Sequence, residues 1–323
     1  MVALPRILSV LSLSLVFAAA ALPAAAQYPA KPIRLIVPFP PSGAAELAAR
    51  TWSQALGQAL GQPVVVEARP GGDGVIAADA VLKAPADGYT LFFGTNTAMS
   101  WVPASRKALP YDPVADFTAI SDVGRFGFFL FTNPAVPATT VAELLAYIRA
   151  NPGKLNYGTG NSFSIMTSAQ LKAAEKLDIV HVPYKGDAPL TIDLLGGRVQ
   201  MAFATPSTAL PQVKDGRLLA LATMLPNRSP LLTDVQTTAE AGLTGVSVTA
   251  WGGLFGPAKM PREIVDHLAR EMAVALKRQD VREGLDRIAF EGRSSSPEEL
   301  AALVKSQLEI WRRAVLEVGI ALE

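Results

Sequence analysis

Residues 33–39 read IRLIVPF, an apolar run before a polar loop, and this pattern predicts a buried β-strand. Helices are predicted over 44–60 and 75–83, and further strands over 64–66 and 89–93. Strands that alternate with helices at this spacing are typical of parallel sheets with helices packed on the faces. The first hundred residues therefore predict an α/β unit.

The same alternation continues after residue 124 and ends in a helical tail. Capping-box pairs Thr140/Glu143 and Ser296/Glu299 mark two helix starts. Further strands are predicted near 128–131, 155–157, 179–182, 199–203 and 218–222, with a return strand over 246–255. We predict two α/β lobes: lobe 1 comprises residues 27–124 and 250–323, lobe 2 comprises residues 125–249, and the hinge lies near 124 and 250.

The composition excludes several classes of function. The 323 residues are 50% hydrophobic and 18% charged, which provides for a large core and argues against disorder. Lys and Arg total 29 and Asp and Glu total 28; without Arg6 the two are equal, so we expect no nucleic-acid partner. With no cysteine and two histidines, thiolate chemistry and a three-histidine zinc site are excluded.

The first 26 residues have the pattern of a secretory signal peptide. Arg6 gives a short positive start, an apolar stretch follows to Leu22, and small residues precede Gln27. A membrane anchor is the alternative, but the apolar stretch is shorter than the roughly 18 residues of a spanning helix. We expect cleavage near Ala26 and export of residues 27–323 to the periplasm.

Catalytic motifs are missing from the sequence. No nucleophile elbow, His-Glu-x-x-His or Walker-type loop occurs, and Gly158-Thr159-Gly160 lacks the third glycine of a dinucleotide fingerprint. His181 alternates with apolar residues and is interpreted as structural; His267 is interpreted as a solvated helix residue. We expect no enzyme activity, no cofactor and no metal.

Five turns rich in Gly, Ser and Thr each join a strand to a helix. They are residues 40–44, 94–97, 158–164, 184–187 and 204–207. Such turns lie at the carboxyl ends of parallel strands, where ligands bind, and helix N-termini there favour anions. Each turn alone is explained by Ser or Thr capping its own helix. Together they predict a cleft between the lobes that binds a small anion.

From Tyr28 onward the chain resembles the periplasmic solute receptors of tripartite tricarboxylate transporters, the Bug family. The matching stretches are 28–34 (YPAKPIR), 36–41 (IVPFPP), 61–67 (GQPVVVE), 87–91 (DGYTL), 154–157 (KLNY), 181–186 (HVPYKG) and 193–197 (DLLGG). The resemblance implies a two-lobed periplasmic-binding-protein fold of type II, with two parallel-rich sheets flanked by helices. It also implies a receptor that captures a small carboxylate and delivers it to an integral membrane permease.

The candidate ligand-binding residues follow from the turns and the resemblance together. They are Ser42, Gly43, Ala44, Thr95, Asn96, Thr159, Asn161, Ser162 and Lys185. Lys185 is either a charge partner of the carboxylate or a solvated lysine. We expect a monomer. Two alternatives stay open: a receptor that docks on a membrane signalling protein, and a secreted α/β enzyme.

Departures from the family pattern bear on the ligand. The usual His and Glu of the third turn are Met166 and Gln170 here, and the usual Asp of the fifth turn is Ala204. Because two acids are missing, we predict that the receptor does not bind an ammonium group. Phe126, Met166 and Trp251 make an aromatic or other apolar-bodied acid plausible, unless Phe126 and Trp251 belong to the hinge or core.

Overall fold

The computed structural model describes residues 28–41, 43–108, 111–243, 245–246 and 248–320. The predicted signal peptide, residues 1–26, lies outside these ranges, and so does Ser42 of the first turn. Within the described ranges, twelve strands form two six-stranded sheets flanked by helices, which confirms the predicted α/β class.

The first sheet carries the predicted β-α-β-α-β unit at one edge. Its strands are β1 (Ile33–Val37), β2 (Val64–Ala68), β3 (Thr90–Thr95), β4 (Phe117–Phe126), β11 (Trp251–Pro257) and β12 (Phe290–Gly292), in the order β12-β4-β11-β3-β1-β2. β1 pairs in parallel with β2 and β3, so that Leu35 lies opposite Val66 on one side and Leu91 on the other. β11 is antiparallel to β3 and β4, and β12 is antiparallel to β4.

The second sheet has the same mixed construction. Its strands are β5 (Phe129–Thr132), β6 (Asn156–Thr159), β7 (Val180–Pro183), β8 (Met201–Ala204), β9 (Leu219–Thr223) and β10 (Gln236–Thr237), in the order β10-β9-β5-β8-β6-β7. β6 is parallel to β7 and β8, whereas β5 is antiparallel to β8 and β9. β5 is the first strand that the chain forms after it leaves the first sheet, and β11 is the first strand after it leaves the second sheet. Both are antiparallel to their neighbours.

The helices lie on both faces of the sheets. They are α1 (Ala44–Leu60), α2 (Val75–Leu82), α3 (Val102–Ser105), α4 (Val141–Ala150), α5 (Ser162–Ala174), α6 (Asp187–Leu195), α7 (Pro206–Lys214), α8 (Arg262–Lys277), α9 (Gln279–Asp286) and α10 (Pro297–Glu317). Both predicted capping boxes are present: Thr140 begins α4 with Glu143, and Ser296 begins α10 with Glu299. No helix in the described ranges has the length and apolar character needed to cross a membrane.

Alternating side chains of the first sheet fill two separate cores. Leu35 belongs to the cluster that α1, α8 and α9 cover, and its neighbour Ile36 belongs to the cluster on the opposite face, beside α10. The second cluster also contains Phe163 and Met166 of α5, a helix of the second sheet. The two sheets are therefore joined by buried apolar contact as well as by the chain.

The chain crosses between the sheets twice. The first crossing lies between Phe126 and Phe129, and the second between Thr237 and Trp251. Beside the first crossing, the buried Asp122 carboxylate accepts a hydrogen bond of 2.8 Å from Arg125 Nη1. Division of the chain into lobes at residues 124 and 250 stays a prediction, and these crossings are where a hinge would lie.

Candidate functional site

A cavity of about 490 Å³ lies between the two sheets. Its lining residues follow the carboxyl ends of β1, β3, β6, β7 and β8, and each of the five predicted turns contributes to it. Small-molecule sites typically occupy about 300–1,000 Å³. We call residues 39–41, 43–45, 73, 95–97 and 126 the first-sheet wall, and residues 160–163, 185–189, 205, 207 and 208 the second-sheet wall.

Most of the candidate ligand-binding residues lie in these walls. The cavity is lined by Gly43, Ala44, Thr95, Asn96, Asn161, Ser162 and Lys185. Thr159 is not among the lining residues: it is buried, and its Oγ1 lies 2.7 Å from Nε2 of His181. Ser42 is outside the described ranges. The Thr159 side chain thus orients an imidazole behind the second-sheet wall.

The N-terminus of α1 opens into the first-sheet wall. Gly43 is its N-cap residue, with extended backbone (φ −78°, ψ 159°) and no side chain that could bond to the first turn. Ala44 and Ala45 follow it in the wall. The first N–H groups of a helix have no partner within the helix and carry partial positive charge. This 17-residue helix therefore presents N–H groups suited to an anion.

Two polar side chains in the same wall lack hydrogen-bond partners. Thr95 and Asn96 are 2% and 4% exposed, and within the described ranges Oγ1 of Thr95 and Nδ2 of Asn96 have no partner. A buried polar group without a partner costs about 1–3 kcal/mol. Both atoms are themselves buried, so a ligand atom would accept from them and recover that cost only after the side chains turned toward the cavity.

Asn161 in the second-sheet wall is already engaged by protein groups. Its Oδ1 accepts a hydrogen bond of 3.0 Å from the Ser164 N–H and so caps α5. Its Nδ2 donates to Oδ1 of Asp187 over 3.1 Å. Asn161 thus lies at the cavity, as predicted, and its side chain is bonded to an acid of the fourth turn.

Asp187 lies in the predicted fourth turn and lines the cavity, although it is not among the nine candidate ligand-binding residues. It begins α6, and Oδ2 accepts hydrogen bonds from the backbone N–H and the hydroxyl of Thr205, over 3.0 and 2.7 Å. Burial raises the pKa of Asp187, while the hydrogen bonds from Thr205 and Asn161 oppose the rise. The cavity therefore contains an acid although the two acids of the family pattern, at positions 170 and 204, are absent.

One hydrogen bond joins the two walls directly. Oγ1 of Thr97, just after β3, lies 3.0 Å from Oγ of Ser162 at the start of α5. Both residues are buried, at 8% and 7% exposure. Because these residues belong to different sheets, any separation of the walls must break this contact.

Aromatic rings supply the apolar surface of the cavity. Phe39, Phe126, Phe128 and Phe163 all line it, and the rings of Phe128 and Phe163 are 4.4 Å apart between centroids. Trp251, which was considered as a possible ligand contact, is fully buried in the core of the first sheet. Met166 is also fully buried in that cluster.

The histidines have structural surroundings. The imidazole of His181 stacks on Tyr157, with centroids 5.0 Å apart, and burial together with Lys172 lowers its pKa. On the surface of α8, Nδ1 of His267 accepts a hydrogen bond from Nη2 of Arg270. No group of three or more His, Asp or Glu residues in the described ranges is arranged to hold a metal ion.

Comparison with known proteins identifies the family. The family model described as "Tripartite tricarboxylate transporter family receptor" matches residues 48–320. The chain belongs to this family. Among its relatives, the protein of the tcbD-tcbE intergenic region of a Pseudomonas species is 35% identical, over 90% of this chain and 87% of that protein. BugT of Bordetella pertussis is 32% identical, over 98% and 99% of the two chains.

Solved structures of receptors agree with the fold. R. palustris Rpa4515 with adipate gives a TM-score of 0.81 at 32% identity, covering 91% of this chain and 99% of that one. MatC from Rhodopseudomonas palustris with bound malate gives 0.76 at 29% identity, covering 89% and 100%. This tripartite tricarboxylate receptor therefore has the fold of periplasmic solute-binding proteins, and it is a receptor rather than an enzyme.

Proposed function

We propose that this receptor captures a small carboxylate with an apolar body in the cavity and delivers it to a tripartite tricarboxylate-type permease. The observation that carries the proposal is the first-sheet wall. There, Thr95 and Asn96 are buried with donor atoms that lack partners in the described ranges, and they adjoin the N-terminus of α1, whose N-cap residue Gly43 has no side chain. Both features favour an anion that accepts hydrogen bonds.

The phenylalanines support an apolar body for the ligand. Four of their rings line the cavity, so that an aromatic ring or aliphatic chain bound there would be removed from water. Adipate and malate, the acids bound in two of the similar structures, are also small carboxylates. An acid that joins a carboxylate to a ring or chain would bind the first-sheet wall through its carboxylate and contact the phenylalanine rings through its apolar body.

The other proposed properties follow from the sequence and the family. We infer that residues 1–26 direct export to the periplasm and that the receptor acts there as a monomer. The walls would close on the ligand about a hinge near residues 124 and 250. Gly43, Ala44, Thr95 and Asn96 would hold the carboxylate. Lys185, which lies exposed in the second-sheet wall, would act as a further charge partner.

Ligand-induced thermal stabilisation of residues 27–323 tests capture. At 100 times its dissociation constant, a ligand adds about 2.7 kcal/mol, which raises the unfolding midpoint by several degrees. We expect such shifts from acids among benzoate, terephthalate, hexanoate and adipate. The Asn96→Asp variant should lose the shift, because it places a carboxylate beside that of the ligand.

Asn227→Asp is the matched control for this experiment. Asn227 is exposed and lies outside the cavity, so this variant makes the same chemical change without touching the walls. Equal shifts in both variants would contradict carboxylate binding at the first-sheet wall. Delivery to a permease is tested by uptake of the bound acid into cells with and without the receptor. Unchanged uptake would instead favour a sensing role.

A further inference from the structure

Asp187 places a negative charge in a cavity proposed to bind anions. Its carboxylate lies in the second-sheet wall, where three hydrogen bonds from Asn161 and Thr205 hold it. All three partner groups act as donors. The amide of Asn161 is fixed in this orientation because its oxygen caps α5 through the Ser164 N–H. Two N–H donors and one hydroxyl face the carboxylate, and their hydrogen bonds favour its ionised form against the burial that raises its pKa.

These bonds use donors that would otherwise be available to a ligand anion. The Thr205 N–H stands at the start of α7, and Asp187 itself occupies the first turn of α6. Neither helix has a side-chain cap from its own N-cap residue. The chain therefore supplies an internal anion where two helix N-termini meet the cavity.

The two walls consequently differ in chemistry. The first-sheet wall contains Thr95 Oγ1 and Asn96 Nδ2, which have no partner in the described ranges. Its one acid, Asp73, is half-exposed and lies 3.6 Å from Arg106, whereas the Asp187 carboxylate of the second-sheet wall has no cation among its described bonded partners. A carboxylate offers about four lone-pair positions. Oδ1 of Asp187 accepts one described hydrogen bond and Oδ2 accepts two, so that Oδ1 can accept another from a ligand.

We propose that Asp187 determines specificity: it accepts a hydrogen bond from a hydroxyl or amine on the ligand and disfavours a second carboxylate at that end. This inference rests on the proposed function, because it assumes that the ligand carboxylate is held at the first-sheet wall. It also replaces the expectation that an ammonium group is not recognised, since an ammonium is a donor of the type that Asp187 would accept.

Asp187 also has a purely structural explanation. Its bonds to Asn161 and Thr205 tie α5, α6 and α7 together, and loss of these bonds would lower stability whatever the ligand. Stability alone cannot separate the two roles. The ratio of affinities for acids that differ only at the far end can, because a merely structural residue affects all of them alike.

Two matched sets of acids serve as probes. The aromatic set is benzoate, 4-hydroxybenzoate and terephthalate; the aliphatic set is hexanoate, 6-hydroxyhexanoate and adipate. The far end is the end opposite the carboxylate that all three acids of a set share. It carries no polar group in the first acid of each set, a hydroxyl donor in the second and a second carboxylate in the third. Calorimetric affinities should rank the hydroxy acid first and the diacid last in at least one set. A hydrogen bond to a charged group predicts a ratio of about tenfold between hydroxy acid and plain acid.

The variants Asp187→Asn and Asp187→Ser remove the charge. Two variants are used so that one remains informative if the other does not fold, as checked by circular dichroism. In both, the preference for the hydroxy acid should fall to about twofold or less, and the diacid should bind more tightly than in the wild type. Asp193→Asn is the control: Asp193 lies on the same helix but bonds to Tyr184 and Arg198 outside the cavity.

The possible outcomes separate the inference from the proposed function. If acids bind but the diacid ranks first, or if the Asp187 variants leave the ratios unchanged, the role of Asp187 is refuted and carboxylate capture stands. If the affinity ratios change as much in Asp193→Asn as in the Asp187 variants, the role of Asp187 is refuted as well. If no acid of either set binds, carboxylate capture fails and the role of Asp187 fails with it.

Discussion

The hydrogen bond between Thr97 and Ser162 should measurably couple the two walls of the cavity. The 3.0 Å contact between their hydroxyls is buried on both sides, so water cannot replace either partner without entering the structure. Thr97→Val keeps the shape of the side chain and removes the hydroxyl. It leaves Oγ of Ser162 buried without this partner, and the free energy of unfolding should fall by about 1–3 kcal/mol.

A double-mutant cycle isolates this hydrogen bond. Ser162→Ala alone should also destabilise, because it leaves the Thr97 hydroxyl unpaired. The double variant removes both hydroxyls and should cost less than the sum of the single variants. We expect an interaction energy of about 1 kcal/mol from urea unfolding followed by circular dichroism. Thr97→Ser retains a hydroxyl and is the conservative control.

Additive effects would refute this reasoning. If the two single variants sum to the double within about 0.5 kcal/mol, the hydroxyls do not interact in solution and the walls are not joined there. A coupling that appears only with bound acid would mean that the walls meet only in the liganded state. In that case the variants should weaken acid binding by up to about tenfold. Their effects on the free energy of unfolding of the free protein should then be additive.

Three further predictions concern other parts of the chain. Gly160→Ala should lower the melting temperature and cost about 1–3 kcal/mol, because a Cβ there would lie 2.5 Å from Oδ1 of Asp187. Ser296→Ala should cost about 1 kcal/mol in urea unfolding, since it removes the cap of α10. The lowered pKa of His181 means that the unfolded chain binds more protons at mildly acidic pH. Stability should therefore fall as the pH drops below about 6.5, and His181→Gln should flatten that profile in melting-temperature measurements.

The elements that the sequence predicted best have strong local signals. The unit from β1 to β3 combines short apolar strands with an amphipathic helix, and α10 begins at a capping box. β4 was missed because its sequence, FTAISDVGRF, contains charged residues and glycine that read as a loop. In the fold, Asp122 and Arg125 of this strand neutralise each other in the interior, which no local pattern reveals.

The same limit applies to the shorter missed elements. α9 has the sequence QDVREGLD, in which Val281 and Leu285 are the only large apolar residues, and both are buried. A helix with so few apolar positions is stabilised mainly by the surface on which it packs. Its formation depends on α1, which it contacts and which is distant in sequence, as well as on the nearby strand β12.

Asp187 shows why residue counting along the turns could locate the cavity and still leave out one of its charged groups. Compared with the family pattern, the fifth turn lacks an acid at Ala204, and this absence suggested a wall without negative charge. In the fold, the fourth turn passes beside the fifth, and Asp187 bonds to both the N–H and the hydroxyl of Thr205, the residue next to Ala204. A carboxylate is thus present near that turn, although a different strand and helix supply it. The charge of a binding site depends on which side chains converge in space, and the proposed preference for a hydrogen-bond donor at the far end of the ligand rests on that convergence.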